Sequence, residues 1–186
     1  DYVYQSILDP NTLSPSWDQT NWNLAIGGVF LAEAFASSGD LKYKNKAAEV
    51  CTLLELNMES SDGYGHGPAA DPNPLGYTEL SIVSSWVVMC IGSCEDIGVE
   101  VNPSFKSKAI GYLKTCDSIA TGGVMYSHVN NDVSVHRTGA AIMAYKMAGI
   151  DDEVTESWTD YIETNWNTIP NGHGSPIMGY LTSALG

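Results

Sequence analysis

Residues 135–149, "VHRTGAAIMAYKMAG", followed by 151–169, "DDEVTESWTDYIETNWNTI", decide the fold. The first stretch is a helix of small and apolar residues that ends at Gly149. The second has four acids in its first two turns, where a helix dipole favours negative charge. Its stripe of Val154, Trp158, Ile162, Trp166 and Ile169 falls on one helical face. A buried helix, a short turn and an amphipathic helix therefore form one unit.

The same unit stands twice upstream. Residues 18–38 read as a long helix with Gly39 as its stop signal, and 41–58 as a second, more polar helix. Residues 80–91 are apolar on nearly every side, so that helix is expected to be buried all round. The helix after it opens with Asn102 as N-cap and Pro103 in the first helical position. Its residues Phe105, Ala109, Tyr112, Leu113 and Cys116 share a face. Gly-rich loops separate the units: "ESSDGYGHGPAADPNP" (59–74), "ATGGVMYSHVNNDVS" (120–134) and "PNGHGSP" (170–176). A last apolar helix begins in "IMGYLTSALG". No strand alternation of useful length is visible.

An internal repeat of this kind predicts an all-α chain folded as an α/α toroid. Inner helices line a centre and outer helices surround it, as a partial ring of about three and a half pairs. The three Gly-rich loops would share one rim, the natural place for a ligand. Residues 1–186 read as one domain, a fragment of a longer chain or half of an assembly. A part-ring leaves apolar ends, so a further chain segment or an oligomer is expected to complete it. The chain opens on Asp1, which reads as a processed or trimmed product.

Composition excludes several functions. The formal charge is −14 with only eight Lys and Arg, so phosphate-rich nucleic acid and anionic membrane surfaces are poor partners. The longest apolar runs are too short and interrupted to span a bilayer. Low lysine with abundant acid fits an extracellular or periplasmic protein. Cys51, Cys90, Cys94 and Cys116 show no CxxC or Cys/His zinc spacing and read as buried free thiols. No cofactor and no metal are expected. The one metal-like spacing, His128, Asp132 and His136, would need a helix where a loop is expected.

The loop forms "GYGHG" and "GGVMYSH", each followed by an inner helix such as "HRTGAAIMAYKMAG", resemble the terpenoid-cyclase and protein-prenyltransferase superfamily of α/α toroids. They look closest to bacterial repeat proteins of that fold, over about residues 18–186. The resemblance implies a toroid fold. The DxDD motif of the cyclases does not occur, and no cysteine lies near a loop histidine as a prenyltransferase zinc site needs. An isoprenoid enzyme is therefore the third choice.

The leading expectation is a ligand-binding domain that binds or processes carbohydrate at the loop rim. All four histidines fall in or beside the Gly-rich loops. Toroid lyases use a base, an acid and a carboxylate neutraliser, which suggests His136, Arg137, His128 and Tyr126 as catalytic residues. Arg137, the only arginine, suits the last role through its bidentate fork. The competing reading is an ion pair between Arg137 and a neighbouring acid. His66, Tyr64, Asp71, Tyr77, Glu79 and His173 are the candidate ligand-binding residues. They bring sugar-stacking aromatics, or carboxylates that could be paired for hydrolysis. A small-molecule or saccharide ligand is the expected partner. The second expectation is a non-catalytic assembly module that docks another chain.

Overall fold

A computed structural model describes residues 19–67, 79–171 and 176–185. Among them the chain is mostly helical. The helices are α1 (Thr20–Ser38), α2 (Leu41–Leu56), α3 (Ser81–Asp96), α4 (Pro103–Thr115), α5 (Val135–Met147), α6 (Val154–Asn165) and α7 (Pro176–Leu185). A 3-10 helix, Trp166–Asn171, follows α6.

The local signals act as the sequence leads one to expect. Gly39 ends α1 at φ 69°, its N–H donating to the Phe35 carbonyl at 2.7 Å. Only a residue without Cβ takes that backbone cheaply. The Asp40 carboxylate caps α2 through the Lys42 N–H. Asn102 caps α4 through the Ser104 N–H, with Pro103 in the first turn. Every residue from Ser81 to Cys94 is buried.

Helices α1, α3, α5 and α7 pack in succession, each against the next. Helix α2 lies on α1 and α3, α4 on α3, and α6 on α5. Each contact in the α1–α3–α5–α7 series includes a glycine where a Cβ would clash with the neighbouring helix. A Cβ on Gly28 would run into Cys90, and one on Gly92 into the Met147 backbone. One on Gly139 would come within 2.5 Å of the Thr182 carbonyl oxygen. The small-residue character of these helices thus sets how closely they approach.

Two expectations are corrected. The second Gly-rich loop and the residues just before it form a three-stranded antiparallel sheet, β1 (Asp117–Ser118), β2 (Gly123–Ser127) and β3 (Asn130–Val133), in the order β1-β2-β3. Its edges are satisfied by neighbours rather than by a long ladder. The Val124 N–H donates to Thr138 Oγ1 on α5 at 2.9 Å, and Ser81 Oγ on α3 donates to the Met125 carbonyl at 2.6 Å. Trp166 leaves the core stripe of α6 and is 69% exposed, because the chain tightens into the 3-10 helix at that residue. Trp158 remains fully buried, edge-on to Tyr145, with Nε1 donating to Asp117 at 2.8 Å. Among the described residues no helix is long and apolar enough to cross a membrane.

Candidate functional site

A cleft of about 300 Å³ opens between α1, α3, α5, α7 and the first Gly-rich loop. It is lined by Gln19, Trp22, Ile26, His66, Ile82, His136, Met178 and Thr182. Two of the four sequence-predicted histidines, 70 residues apart in the chain, meet here.

His66 is placed by α1. Asn21 is fully buried in the first turn of that helix. Its N–H donates to the His66 carbonyl at 3.0 Å. Its side-chain amide donates to the carbonyls of Gly65 and Gly67 and accepts from Asn57 Nδ2 at 3.0 Å. The loop is therefore tied to the helix on both sides of the imidazole. Trp22, one residue on, stacks on His66 with ring centroids 6.2 Å apart and planes 24° apart. Trp22 Nε1 donates to His66 Nδ1 at 2.7 Å. An indole N–H can only donate, so Nδ1 must hold its lone pair free. In the neutral ring the proton is then on Nε2, and His66 is a fixed hydrogen-bond donor there. His136, 3% exposed, sits in the first turn of α5 with Nε2 3.4 Å from Ser134 Oγ.

Arg137 does not line this cleft. It is 2% exposed, and its Nη2 donates to the Asp132 carboxylate at 2.8 Å and to the Asp132 carbonyl at 2.6 Å. Its guanidinium carbon is 5.3 Å from the centre of the Tyr126 ring. Burial lowers its affinity for the proton, and Asp132 opposes the shift. Arg137 thus fastens the β2–β3 hairpin to α5, and the neighbouring acid of the competing reading is Asp132.

The other candidates lie apart from the cleft. His128 is exposed in the hairpin turn, edge-on to Tyr112, with ring centroids 5.7 Å apart. Tyr126 lies under Arg137. Tyr64 is fully buried, its hydroxyl donating to the Leu54 carbonyl at 2.7 Å and its N–H to Ser84 Oγ. Desolvation drives its pKa upward. Glu79 offers its carbonyl to Tyr112 Oη at 2.8 Å. Asp71, Tyr77 and His173 lie outside the described residues. His128, Asp132 and His136 do not draw together into a metal-binding group. Among the described residues that geometry belongs to Cys51, Cys90 and Cys94.

Gln19, Ile82, Met178 and Thr182 carried no sequence signal for the site. Asn21 and Asn23 both stand in the first turn of α1, and only the fold shows that Asn21 is the buried one whose amide needs partners.

No protein-family model, curated protein or solved structure matches the chain.

Proposed function

We propose that this chain is a ligand-binding domain whose cleft takes a single sugar ring, and that its helices form an arc of an α/α toroid. The serial packing of α1, α3, α5 and α7, each with an outer helix except α7, supports the arc. It also keeps the resemblance to the terpenoid-cyclase and prenyltransferase toroids as the preferred ancestry.

The observation that carries the ligand reading is the Trp22–His66 pair set into the wall of the cleft. A pyranose has an apolar face that stacks on an aromatic plane and hydroxyls that need donors and acceptors. Trp22, Ile26, Ile82 and Met178 offer apolar wall, while His66, His136 and Gln19 offer polar groups. Among the described residues no carboxylate lines the cleft, and Arg137 is held by Asp132, so the reading is binding rather than lyase or hydrolase chemistry. A cleft with one indole and two imidazoles suits a sugar better than an isoprenoid chain, which calls for a deep, dry, aromatic cavity.

Titration calorimetry against a panel of monosaccharides tests this. At least one sugar is expected to bind the wild type. Trp22→Ala and His66→Ala are expected to lose it while the protein stays folded, as circular dichroism checks. A panel with no binder, or binding untouched by both substitutions, overturns the proposal.

A second reading is an assembly module. Ile26 and Phe30 on α1 and Ile177, Leu181 and Leu185 on α7 are large apolar residues left 40% to 75% exposed on helices that border the cleft. It predicts concentration-dependent sedimentation that Phe30→Glu abolishes. A monomer at all concentrations removes it.

A further inference from the structure

Three of the four cysteines meet in the core. Cys51 of α2 and Cys90 and Cys94 of α3 have sulfurs all within 4.8 Å of one another. Cys90 and Cys94 share a helix face at four-residue spacing, and α2 brings Cys51 across to them. All three are free thiols, 5% exposed or less. Gly28 of α1 closes the cluster, with no room for a Cβ beside the Cys90 sulfur. None of the three lines the Trp22–His66 cleft.

Three converging sulfurs are a donor set for a soft ion. Coordination number and charge choose among such ions. A structural Zn²⁺ prefers four ligands, and no fourth His, Cys, Asp or Glu belongs to this group among the described residues. Three thiolates around Zn²⁺ leave one negative charge, and around Cu⁺ they leave two. Glu95, beside Cys94 in the chain, is paired with Lys106 at 2.6 Å, so that pair offers no counter-charge to the cluster. A buried complex with a net negative charge is strongly disfavoured. A trivalent, three-coordinate ion gives a neutral complex and needs no fourth ligand.

We propose that Cys51, Cys90 and Cys94 form a three-thiolate site for a trivalent thiophilic ion of the As(III) or Sb(III) kind. With arsenous acid, As(OH)₃, three As–O bonds break and three As–S bonds form. Each leaving hydroxide takes one thiol proton, so three waters are released and nothing is oxidised or reduced. A small inward turn of the side chains brings the three sulfurs onto the ion.

The test is to refold the chain with arsenite and a phosphine reductant. Native mass spectrometry should show the gain of one arsenic and the loss of three hydrogens, together with a raised melting temperature. Arsenic K-edge absorption on the wild-type complex should show three sulfur neighbours and no oxygen, a readout that needs no variant. Cys51→Ala, Cys90→Ala and Cys94→Ala should each lose retained arsenic, while Cys116→Ala, a buried cysteine outside the cluster, should keep it. No retained arsenic in the folded wild type overturns the proposal. So does a two-sulfur site, retention that depends on Cys116, or displacement of arsenic by equimolar Zn²⁺ or Cu⁺.

Discussion

Two loops of similar composition, "GYGHG" and "GGVMYSH", each count one long buried polar side chain among their fastenings, and these two clamps differ in kind. Asn21 is neutral and ties the first loop through backbone carbonyls. Arg137 is charged and ties the second through Asp132, whose side chain is 70% exposed. The neutral clamp turns His66 into the cleft with its tautomer fixed by Trp22. The charged clamp serves the hairpin and leaves His128 in solvent. On α5 the division runs between adjacent residues, since side chains about 100° apart on a helix face different neighbours. His136 enters the cleft and Arg137 enters the hairpin contact. Proximity in sequence to a histidine thus says little about membership of its site.

The largest effect should come from breaking the neutral clamp. Asn21→Leu removes two donors and an acceptor at a site with no water access, leaving the Gly65 and Gly67 carbonyls without the amide. A loss of about 3 kcal/mol is expected from such stranded buried groups. Chemical denaturation measures it, and sugar binding should vanish with it. Asn21→Asp separates the two effects, because it keeps the shape but cannot donate. Retained binding in a folded Asn21→Asp protein would show that the loop is held by other contacts.

Breaking the charged clamp should cost about 2 kcal/mol, the usual scale for hydrogen bonds to an ionised partner, because Asp132 can rehydrate when Arg137→Met removes the fork. Hydrogen exchange should quicken across 123–133 while the cleft keeps its ligand. Loss of binding in this variant would place Arg137 in the site and contradict the division drawn above.

A smaller change probes the tautomer. Trp22→Phe keeps a ring against His66 but removes the Nε1 donor, at a cost of about 1 kcal/mol. Nitrogen-15 spectra of the imidazoles should show His66 moving from one tautomer to a mixture. An unchanged spectrum would mean that another contact fixes it.

These differences mark what could be read in advance. The helix pairs were legible because caps and periodicity are local: Gly39, Asn102 with Pro103, and the apolar run of α3. The sheet was not, since β2 and β3 are short and lack alternation, with burial set by α3, α5 and α6 rather than by their own pattern. That the histidines fall in or beside the loops was legible, and His66 and His136 line one cleft. That His128 stays outside it depends on the hairpin. An acid for Arg137 was foreseeable in kind, but choosing Asp132 required the β3–α5 junction. The meeting of Cys51 with Cys90 and Cys94 is tertiary and left no trace in their spacing.

The smallest expected effect is a control for the charged clamp. Lys114 and Asp152 make a surface pair at 2.8 Å. The Asp152 pKa is lowered, first by the hydrogen bond from Lys114 and then by the one from the Val154 N–H. A carboxylate with a lowered folded pKa adds stability above its unfolded value, 3.8 for the free group. That stability is lost as pH falls through the folded value. The wild type should therefore exceed Asp152→Asn slightly in melting temperature at neutral pH, and the two curves should converge in acid. Moderate salt should shrink the gap, because both groups face solvent. The stability difference between wild type and Arg137→Met should resist the same salt, since that guanidinium is buried. Equal salt sensitivity in the two pairs would mean that Arg137 is solvated, and the contrast between a buried clamp and a surface pair would fail.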